Sequence, residues 1–414
     1  MIMTAKKDLI AALVVTGFLT ASVAGYSIWT SGETAETLRT SVNTETAAAA
    51  AETYDTADVY VSSVVTETQT TENGLFTERD LTQTADLSEA VYYTLSDGDI
   101  VKIEQEGVYV FSGNASEAQI LVDAADENKI QIVLDDLTVT NTSVPCIYVK
   151  NADKVFVTVT ETDCALSVTG PFSADGDTDT DAVIYSKDDL VLNGEGTVTI
   201  VSSANGVTCK DDLKITGGAW NISCSADALE AEESIAVADG VIVIRTQKDG
   251  IHAENSDDNT TGSVTVCGGE ITVTASDDGI HATTVFTLEG GTLNITAAEG
   301  VEATRVVILN GEVNISASDD GINAGQKSKT MQAGIEISGG TVTVRMSAGD
   351  TDAIDSNGYL TVSGGTLDLT AQSPFDADGT VSYTGGTIIV NGQVTDTISI
   401  QMMGGMGGMM GGRK

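Results

Sequence analysis

A glycine followed by a short apolar segment recurs at nearly even intervals through the second half of the chain. Nine such segments occur, at residues 196–200, 218–222, 240–244, 269–273, 291–295, 311–315, 340–344, 365–369 and 386–390. The intervals between their glycines are 22, 22, 29, 22, 20, 29, 25 and 21 residues. A short period with occasional insertions is typical of a solenoid, because each unit can bury its apolar face only against its neighbours.

The pattern inside each segment indicates strands rather than helices. Apolar residues alternate with polar ones, so one face of each strand points into a core. The chain has 43 glycines against 3 prolines, and only 5% aromatic residues, which suits short strands joined by tight turns. We therefore predict an all-β, right-handed parallel β-helix over residues 73–395, with coils of about 20–22 residues. Residues 73–182, whose repeat is irregular, are expected to form the N-terminal coils and cap.

The two ends of the chain differ in composition from the repeats. Residues 1–29 contain two lysines followed by an uncharged run at 9–29, which predicts export through a cleaved signal peptide or an uncleaved membrane anchor. Residues 30–72 are rich in Thr, Ala and Glu and are expected to be a disordered linker. Residues 396–414 are rich in Met and Gly and predict a flexible tail. The expected location is outside a bacterial cell or on its surface.

Acidic residues recur with the same period, one turn after each strand. The motif is an acid, a small residue, an aliphatic residue and a polar residue, as at 249–252. Stacked coils are expected to bury the aliphatic residue and to align the first and fourth positions in two outward rows. The first row is Asn205, Asp227, Asp249, Asp278, Glu299, Asp320 and Asp352. The second row is Thr208, Glu230, His252, His281, Glu302, Asn323 and Asp355.

The charge of the chain favours cations as partners. Sixty-one acidic and 19 basic residues give a formal net charge of −42, which excludes nucleic acid and anionic lipid as binding surfaces. Carboxylates stacked at the coil spacing repel by about 3–4 kcal/mol per adjacent pair at an effective dielectric constant near 20. Bound cations, protonation of some carboxyls, or side chains splayed into solvent would each relieve this repulsion.

We expect the protein to be a monomer.

Calcium is the cation that suits these rows best. Ca²⁺ accepts six to eight oxygen ligands in loose geometry, whereas Mg²⁺ demands a tighter octahedron. The candidate metal ligands are Asp227, Glu230, Asp249, Asp278, Glu299, Glu302, Asp320, Asn323, Asp352 and Asp355. Zinc at His252 and His281 is an alternative, although two histidines do not complete a zinc site. A purely structural role also fits, because Asp and Asn favour tight corners by bonding to local backbone.

Several segments resemble the clostridial cell-surface carbohydrate-binding β-helix family, which is similar in fold to calcium-dependent pectate lyases. They are Ser-Lys-Asp-Asp-Leu at 186–190, Lys-Asp-Asp-Leu-Lys-Ile-Thr-Gly-Gly at 210–218, the repeated Ser-Asp-Asp-Gly-Ile, and the segments at 107–113 and 152–155. The resemblance covers about residues 78–390. It implies calcium sites and binding of plant cell-wall glycans, including acidic pectin-type chains. It carries over onto Asp249, Asp278 and Asp320.

The sequence departs from the resembled family at four row positions. Glu299 and Asp352 lie in irregular turns, and His252 and His281 replace oxygen donors. These departures leave the number of calcium ions open.

Three functions compete at this stage. The first is an extracellular, calcium-dependent, non-catalytic polysaccharide-binding protein, with Lys248, His252, His281 and Tyr359 as weak candidates for glycan contacts. The second is a calcium-dependent polysaccharide lyase, which needs a strong base such as Lys or Arg. Lys248, Arg245 and Lys210 are the nearest basic residues. The third is a structural surface adhesin.

Two residue classes are expected to fill the core. Trp220 occupies an inward position of its strand, so it is not a candidate for sugar stacking. The five cysteines form no CxxC pair, and Cys224 is expected to be a small core residue.

Overall fold

The computed structural model describes residues 74–348 and 351–400, and over these ranges the protein is all-β. The predicted leader, the predicted linker and residues 401–414 of the predicted tail lie outside the described residues. None of the described residues belongs to a helix long and apolar enough to cross a bilayer.

The described strands are numbered in chain order. They are β1 (Val91–Thr94), β2 (Ile100–Ile103), β3 (Gly107–Ser116), β4 (Gln119–Asp123), β5 (Lys129–Asn141), β6 (Ile147–Asn151), β7 (Lys154–Val159), β8 (Asp163–Val168), β9 (Ala182–Ser186), β10 (Asp189–Gly194), β11 (Thr197–Ser202), β12 (Asn205–Cys209), β13 (Asp212–Ile215), β14 (Ala219–Ser223), β15 (Leu229–Ala231), β16 (Ser234–Val237), β17 (Val241–Arg245), β18 (Ile251–Ala253), β19 (Ser263–Val266), β20 (Glu270–Thr274), β21 (Asp278–Leu288), β22 (Thr292–Ala297), β23 (Glu299–Ile308), β24 (Glu312–Ala317), β25 (Ile322–Ala324), β26 (Gly334–Ile337), β27 (Thr341–Met346), β28 (Ile354–Ser356), β29 (Tyr359–Val362), β30 (Thr366–Thr370), β31 (Asp376–Ala377), β32 (Val381–Tyr383), β33 (Thr387–Val390) and β34 (Gln393–Thr395).

The strands pair in three parallel series. The first runs β8–β11–β14–β17–β20–β22–β24–β27–β30–β33. The second runs β2–β4–β6–β9–β12–β15–β18–β21–β23–β25–β28–β31. The third runs β1–β3–β5–β7–β10–β13–β16–β19–β21–β23–β26–β29–β32. Long strands such as β21 and β23 take part in two series. Among the described strands, the antiparallel pair is β33–β34.

This pairing confirms the predicted all-β class. From β8 to β18 each strand pairs with the third strand along the chain, as in β11–β14 and β12–β15. The region before Ala182 pairs in the same series, although its strands β3 and β5 are long. A long, mostly parallel sheet of this kind is consistent with coils stacked on one another.

The core lies between the three series and is formed by the alternating apolar positions. The aliphatic residue of the acidic motif is fully buried, as at Leu229, Ile251 and Ile280, which confirms the predicted inward row. Trp220 is 1% exposed, and its indole N–H donates to the carbonyl of Gly217 at 2.9 Å. Cys224 is buried as well.

Close packing between neighbouring coils explains the small residue at the second motif position. A Cβ added at Gly279 would lie 2.3 Å from Cγ2 of Ile295 and 2.6 Å from the carbonyl oxygen of Gly300. Contacts this short are not observed for real Cβ atoms, so a larger side chain at this position would push the coils apart.

The two insertions into the repeat, residues 254–262 and 325–334, occupy equivalent positions. The first joins β18 to β19 and the second joins β25 to β26, so each connects a second-series strand to a third-series strand. As predicted for insertions in a solenoid, both therefore border the same corner, beside the fourth position of the acidic motif.

A segment near the start of the described chain packs against the middle of the third series. The side chain of Gln83 accepts a hydrogen bond from the N–H of Gly194 at 2.9 Å and donates to the carbonyl of Thr216 at 2.9 Å. Asp80 is 0% exposed, and its carboxylate lies 3.6 Å from Nζ of Lys154 and 3.5 Å from Nζ of Lys214. We call residues 77–83 the strap. Their contacts are with the strands β7, β10 and β13 and the turn after β13.

Candidate functional site

The fourth motif positions form one continuous row along the second series. The backbone register places each fourth-position residue opposite its equivalent in the next coil, through Thr208, Glu230, His252, His281, Glu302, Asn323 and Asp355. The row continues to Tyr185 at one end and to Asp376 at the other. The predicted alignment of this row is confirmed, despite the insertion between the two histidines.

The first motif positions from Asn205 to Asp278 are recessed, so the prediction of an outward row was wrong for them. Asp227, Asp249 and Asp278 are only 4%, 4% and 6% exposed. The reason is a ladder between coils in which one carboxylate oxygen accepts a backbone N–H. The N–H of Asp249 donates to Asp227 at 3.0 Å, and the N–H of Asp278 donates to Asp249 at 2.9 Å. The other carboxylate oxygen still faces the second row.

A histidine and a lysine neutralise the acids at the start of the rows. Nδ1 of His252 lies 3.1 Å from Oδ2 of Asp249 and 3.2 Å from Oδ2 of Asp227. Nζ of Lys248 donates to the same Asp227 oxygen at 2.6 Å. Burial opposes ionisation of Asp227, but His252 and Lys248 outweigh it and lower the pKa of this carboxyl. Burial likewise disfavours the charged imidazole, yet the two carboxylates raise the pKa of His252 to about 10.

His281 repeats this arrangement one coil further on. Its Nδ1 lies 2.9 Å from Oδ2 of Asp278 and 3.1 Å from Oε2 of Glu302. Lys327, which belongs to the second insertion, places Nζ 2.7 Å from that Glu302 oxygen. Burial opposes ionisation of Glu302, but His281 and Lys327 together lower its pKa. The charge of Glu302 is therefore compensated within the protein.

Glu254, from the first insertion, faces both histidines from the solvent side. Its Oε2 lies 3.1 Å from Nε2 of His252 and 3.8 Å from Nε2 of His281. The two imidazole rings are 4.7 Å apart between centroids. Glu254 and Lys327 were both missed in the sequence, because they lie in insertions where the period is broken. Their nearness in sequence to a fourth motif position was the available signal.

Glu230 is also satisfied by protein groups. The hydroxyl of Thr208 donates to its Oε2 at 3.0 Å, and the amide of Asn205 donates to the same oxygen. Nζ of Lys210 lies 3.7 Å from the other oxygen. These residues therefore have counter-charges or hydrogen-bond donors within the protein. We call Asp227, Glu230, Asp249, His252, Asp278, His281 and Glu302 the histidine half.

Three acids at the far end of the rows differ from those beside the histidines. Among the described residues, Glu299, Asp320 and Asp355 form no ion pair with Lys, Arg or His. Burial, followed by the nearby carboxylates, raises the pKa of Glu299 to about 7 and that of Asp355 to about 7. Burial also raises the pKa of Asp320 to about 6. We call Glu299, Asp320, Asn323, Asp352 and Asp355 the carboxylate half.

Asn323 supplies an oxygen within the carboxylate half. Its amide N–H donates to Oε2 of Glu299 at 3.0 Å, which fixes the orientation of the side chain. Its Oδ1 is buried and accepts no hydrogen bond from the described residues. A buried carbonyl oxygen without a donor is disfavoured unless a cation or water meets it. The donor set of this half consists of oxygen atoms only, which fits the preference of Ca²⁺.

The weak candidates for glycan contacts divide between two places. Lys248 is half-exposed and joins His252 and His281 at the row, but the two imidazoles are largely covered. Tyr359 is on β29 in the third series, where its hydroxyl bonds to Glu336. The structure therefore does not bring Tyr359 to the rows.

The strands and rows described above define an all-β protein with an oxygen-rich acidic corner. A family model described as "Carbohydrate-binding domain-containing protein" matches residues 96–353, more than half of the chain. The chain belongs to this carbohydrate-binding domain family.

Two known proteins are similar to parts of the chain. A carbohydrate-binding domain-containing protein of Acetivibrio thermocellus is 38% identical over 133 residues, which cover 30% of this chain and 45% of the relative. The chain thus spans less than half the length of that relative. A solved structure described as a polysaccharide lyase-like protein from C. thermocellum, in a gadolinium derivative, is 30% identical. The similarity covers 54% of this chain and 96% of that one, with a TM-score of 0.49.

Proposed function

We propose that the protein is an extracellular, calcium-dependent, non-catalytic polysaccharide-binding protein built as a right-handed parallel β-helix. The observation that carries the proposal is the carboxylate half, where half-buried Glu299, Asp320 and Asp355 have no basic partner among the described residues. Membership of the carbohydrate-binding domain family supports a polysaccharide as the partner.

The carboxylate half is the strongest candidate for the proposed calcium site. Protonation relieves the repulsion between these acids only below about pH 7, because their raised pKa values reach about 7. A divalent ion relieves it at any higher pH and also meets the buried Oδ1 of Asn323. The remaining predicted ligands, in the histidine half, have protein counter-charges, so they are weaker candidates for calcium.

The proposed glycan class is plant cell-wall polysaccharide, with acidic, pectin-type chains as the main candidate. A row of carboxylates repels a polyuronate in the absence of metal. Calcium with open coordination positions would bridge protein carboxylates to uronate groups. Hydroxyl groups of a neutral glycan offer weaker ligands to the same ion, which makes uronate chains the stronger partners.

The lyase alternative is disfavoured by the state of the candidate bases. Burial lowers the pKa of Lys248, but its contacts with Asp227 and Asp249 outweigh this effect and raise it. The pKa of Lys210 is also raised, because Glu230 and Glu232 outweigh its burial. A lysine held in its charged form is a poor general base at neutral pH. A structural adhesin is the remaining alternative, and it predicts no saturable binding of glycan.

Binding of polygalacturonate to immobilised protein, with and without calcium, tests the proposal. We expect saturable binding that needs calcium and is lost in chelator. Asp355→Asn is expected to weaken it, whereas Glu270→Gln, which changes an exposed acid on a different strand series, is the matched control. Release of unsaturated products absorbing in the ultraviolet would indicate the lyase. Equal binding with and without calcium would contradict the calcium-dependent mode.

A further inference from the structure

Two imidazoles and one carboxylate meet where the first insertion leaves β18. Oε2 of Glu254 lies 3.1 Å from Nε2 of His252 and 3.8 Å from Nε2 of His281. One nitrogen from each ring and one carboxylate oxygen of Asp249 all lie within 4.8 Å of one another. Glu254, which is half-exposed, therefore lies beside the Nε2 atoms of both rings.

A first-row carboxylate lies beside the opposite edge of each ring. Nδ1 of His252 lies 3.1 Å from Asp249, and Nδ1 of His281 lies 2.9 Å from Asp278. Carboxylates beside Nδ1 orient an imidazole and increase the basicity of Nε2, which is the usual support of a histidine that binds metal through Nε2. A first-row carboxylate thus lies beside Nδ1 of each ring, while both Nε2 atoms lie near Glu254.

We propose that Nε2 of His252, Nε2 of His281 and the carboxylate of Glu254 bind a divalent transition metal ion of the zinc class. Two histidines and one carboxylate are an established donor set for Zn²⁺, with a fourth position left for water. Ligand atoms about 2.0–2.1 Å from a tetrahedral ion stand roughly 3.3–3.4 Å apart. The two distances from Glu254, 3.1 and 3.8 Å, lie on either side of that value.

Donor chemistry separates this site from the carboxylate half. Imidazole nitrogen favours Zn²⁺, Ni²⁺ and Cu²⁺, whereas carboxylate and carbonyl oxygens favour Ca²⁺. The proposal therefore does not rest on calcium binding. The two histidines lie on consecutive coils of the second series, and Glu254 opens the insertion after the first of them. A bound ion would tie this insertion to both coils.

Titration of the metal-stripped full chain with Co²⁺ and Zn²⁺, in excess calcium, tests the site. We expect one equivalent of Co²⁺ with the visible absorption of a tetrahedral ion, displaced by Zn²⁺. His252→Gln, His281→Gln and Glu254→Gln should each weaken Zn²⁺ binding at least tenfold. Asp257→Asn, an exposed acid in the same insertion, should leave it unchanged.

The chosen variants separate loss of the proposed zinc site from loss of the fold and from loss of the proposed calcium site. Glu254 is exposed, so Glu254→Gln tests the site without disturbing the core. Unchanged Zn²⁺ affinity in Glu254→Gln, or in both histidine variants, would overturn the proposal. Loss of Zn²⁺ binding in Asp355→Asn would also overturn it, because the ion would then belong to the carboxylate half. Loss of Ca²⁺ binding in Asp355→Asn with intact Zn²⁺ binding would support both sites separately.

Discussion

Asn323 donates a hydrogen bond of 3.0 Å to Glu299 in the preceding coil, while its own buried carbonyl oxygen accepts none from the described residues. The side chain is thus fixed with an unsatisfied oxygen directed among carboxylates. A cation at this position satisfies the oxygen and the surrounding negative charge together.

Asn323→Ala is expected to weaken calcium binding at least tenfold, which corresponds to about 1.4 kcal/mol. The change removes a candidate ligand oxygen and also the hydrogen bond that Glu299 accepts from the Asn323 amide. Calorimetric titration of metal-stripped protein measures the effect. Asn294→Ala is a suitable control, because this asparagine is on the first series, where its side chain bonds to Asn314. Equal losses in both variants would indicate a general structural effect instead.

The stability of the metal-free protein is expected to fall as pH rises from about 5 to about 8. Glu299 and Asp355 have folded-state pKa values of about 7, against unfolded values of about 4. The folded state therefore holds more protons than the unfolded state in this window, and the linkage relation gives a negative slope. His252 acts in the same direction, because its favourable charge is lost between about 6.5 and its folded pKa of about 10.

Urea unfolding at several pH values, in chelator and in calcium, checks this slope. Bound calcium replaces the protons as counter-charge, so stability in calcium should stay level or rise towards pH 8. Metal-free stability that increases over the same range would show that the acids of the carboxylate half are already neutralised by other groups.

Gly279→Ala is expected to destabilise the fold by about 1–3 kcal/mol, because the new methyl group would overlap Ile295 and the carbonyl of Gly300. Gly325→Ala is the control. It lies in the second insertion, where the nearest atom to an added Cβ is 3.7 Å away. Urea unfolding of the two variants should differ by more than 1 kcal/mol, and equal midpoints would contradict the close packing between coils.

Asp80→Asn is expected to release the strap and to cost about 3 kcal/mol, because it leaves Lys154 and Lys214 with less counter-charge in a buried place. Faster proteolysis near residues 77–83 would report the release directly. Glu78→Gln is the control, since Glu78 is exposed in the same segment. Equal cleavage rates in both variants would mean that Asp80 does not hold the strap.

The repeat explains which features could be predicted from the sequence. The alternation of apolar residues determines which side of a strand is buried, so the strands and the aligned second row followed from the period. The burial of Asp249 could not be predicted in this way, because its carboxylate accepts a hydrogen bond from the backbone N–H of Asp278 in the next coil. Glu254 and Lys327 lie outside the period. The contact between Gln83 and Thr216 joins residues 133 apart, beyond any local pattern.

Calcium titration of metal-stripped wild-type protein and Asp355→Asn, with the melting temperature measured for each, tests the proposed function most directly. The substitution removes a carboxylate that burial and its acidic neighbours disfavour in charged form. We predict that Asp355→Asn melts higher than wild type without calcium, yet binds calcium at least tenfold more weakly. A variant that binds calcium as tightly as wild type, or a wild-type protein that binds none at millimolar concentration, would contradict a calcium site in the carboxylate half.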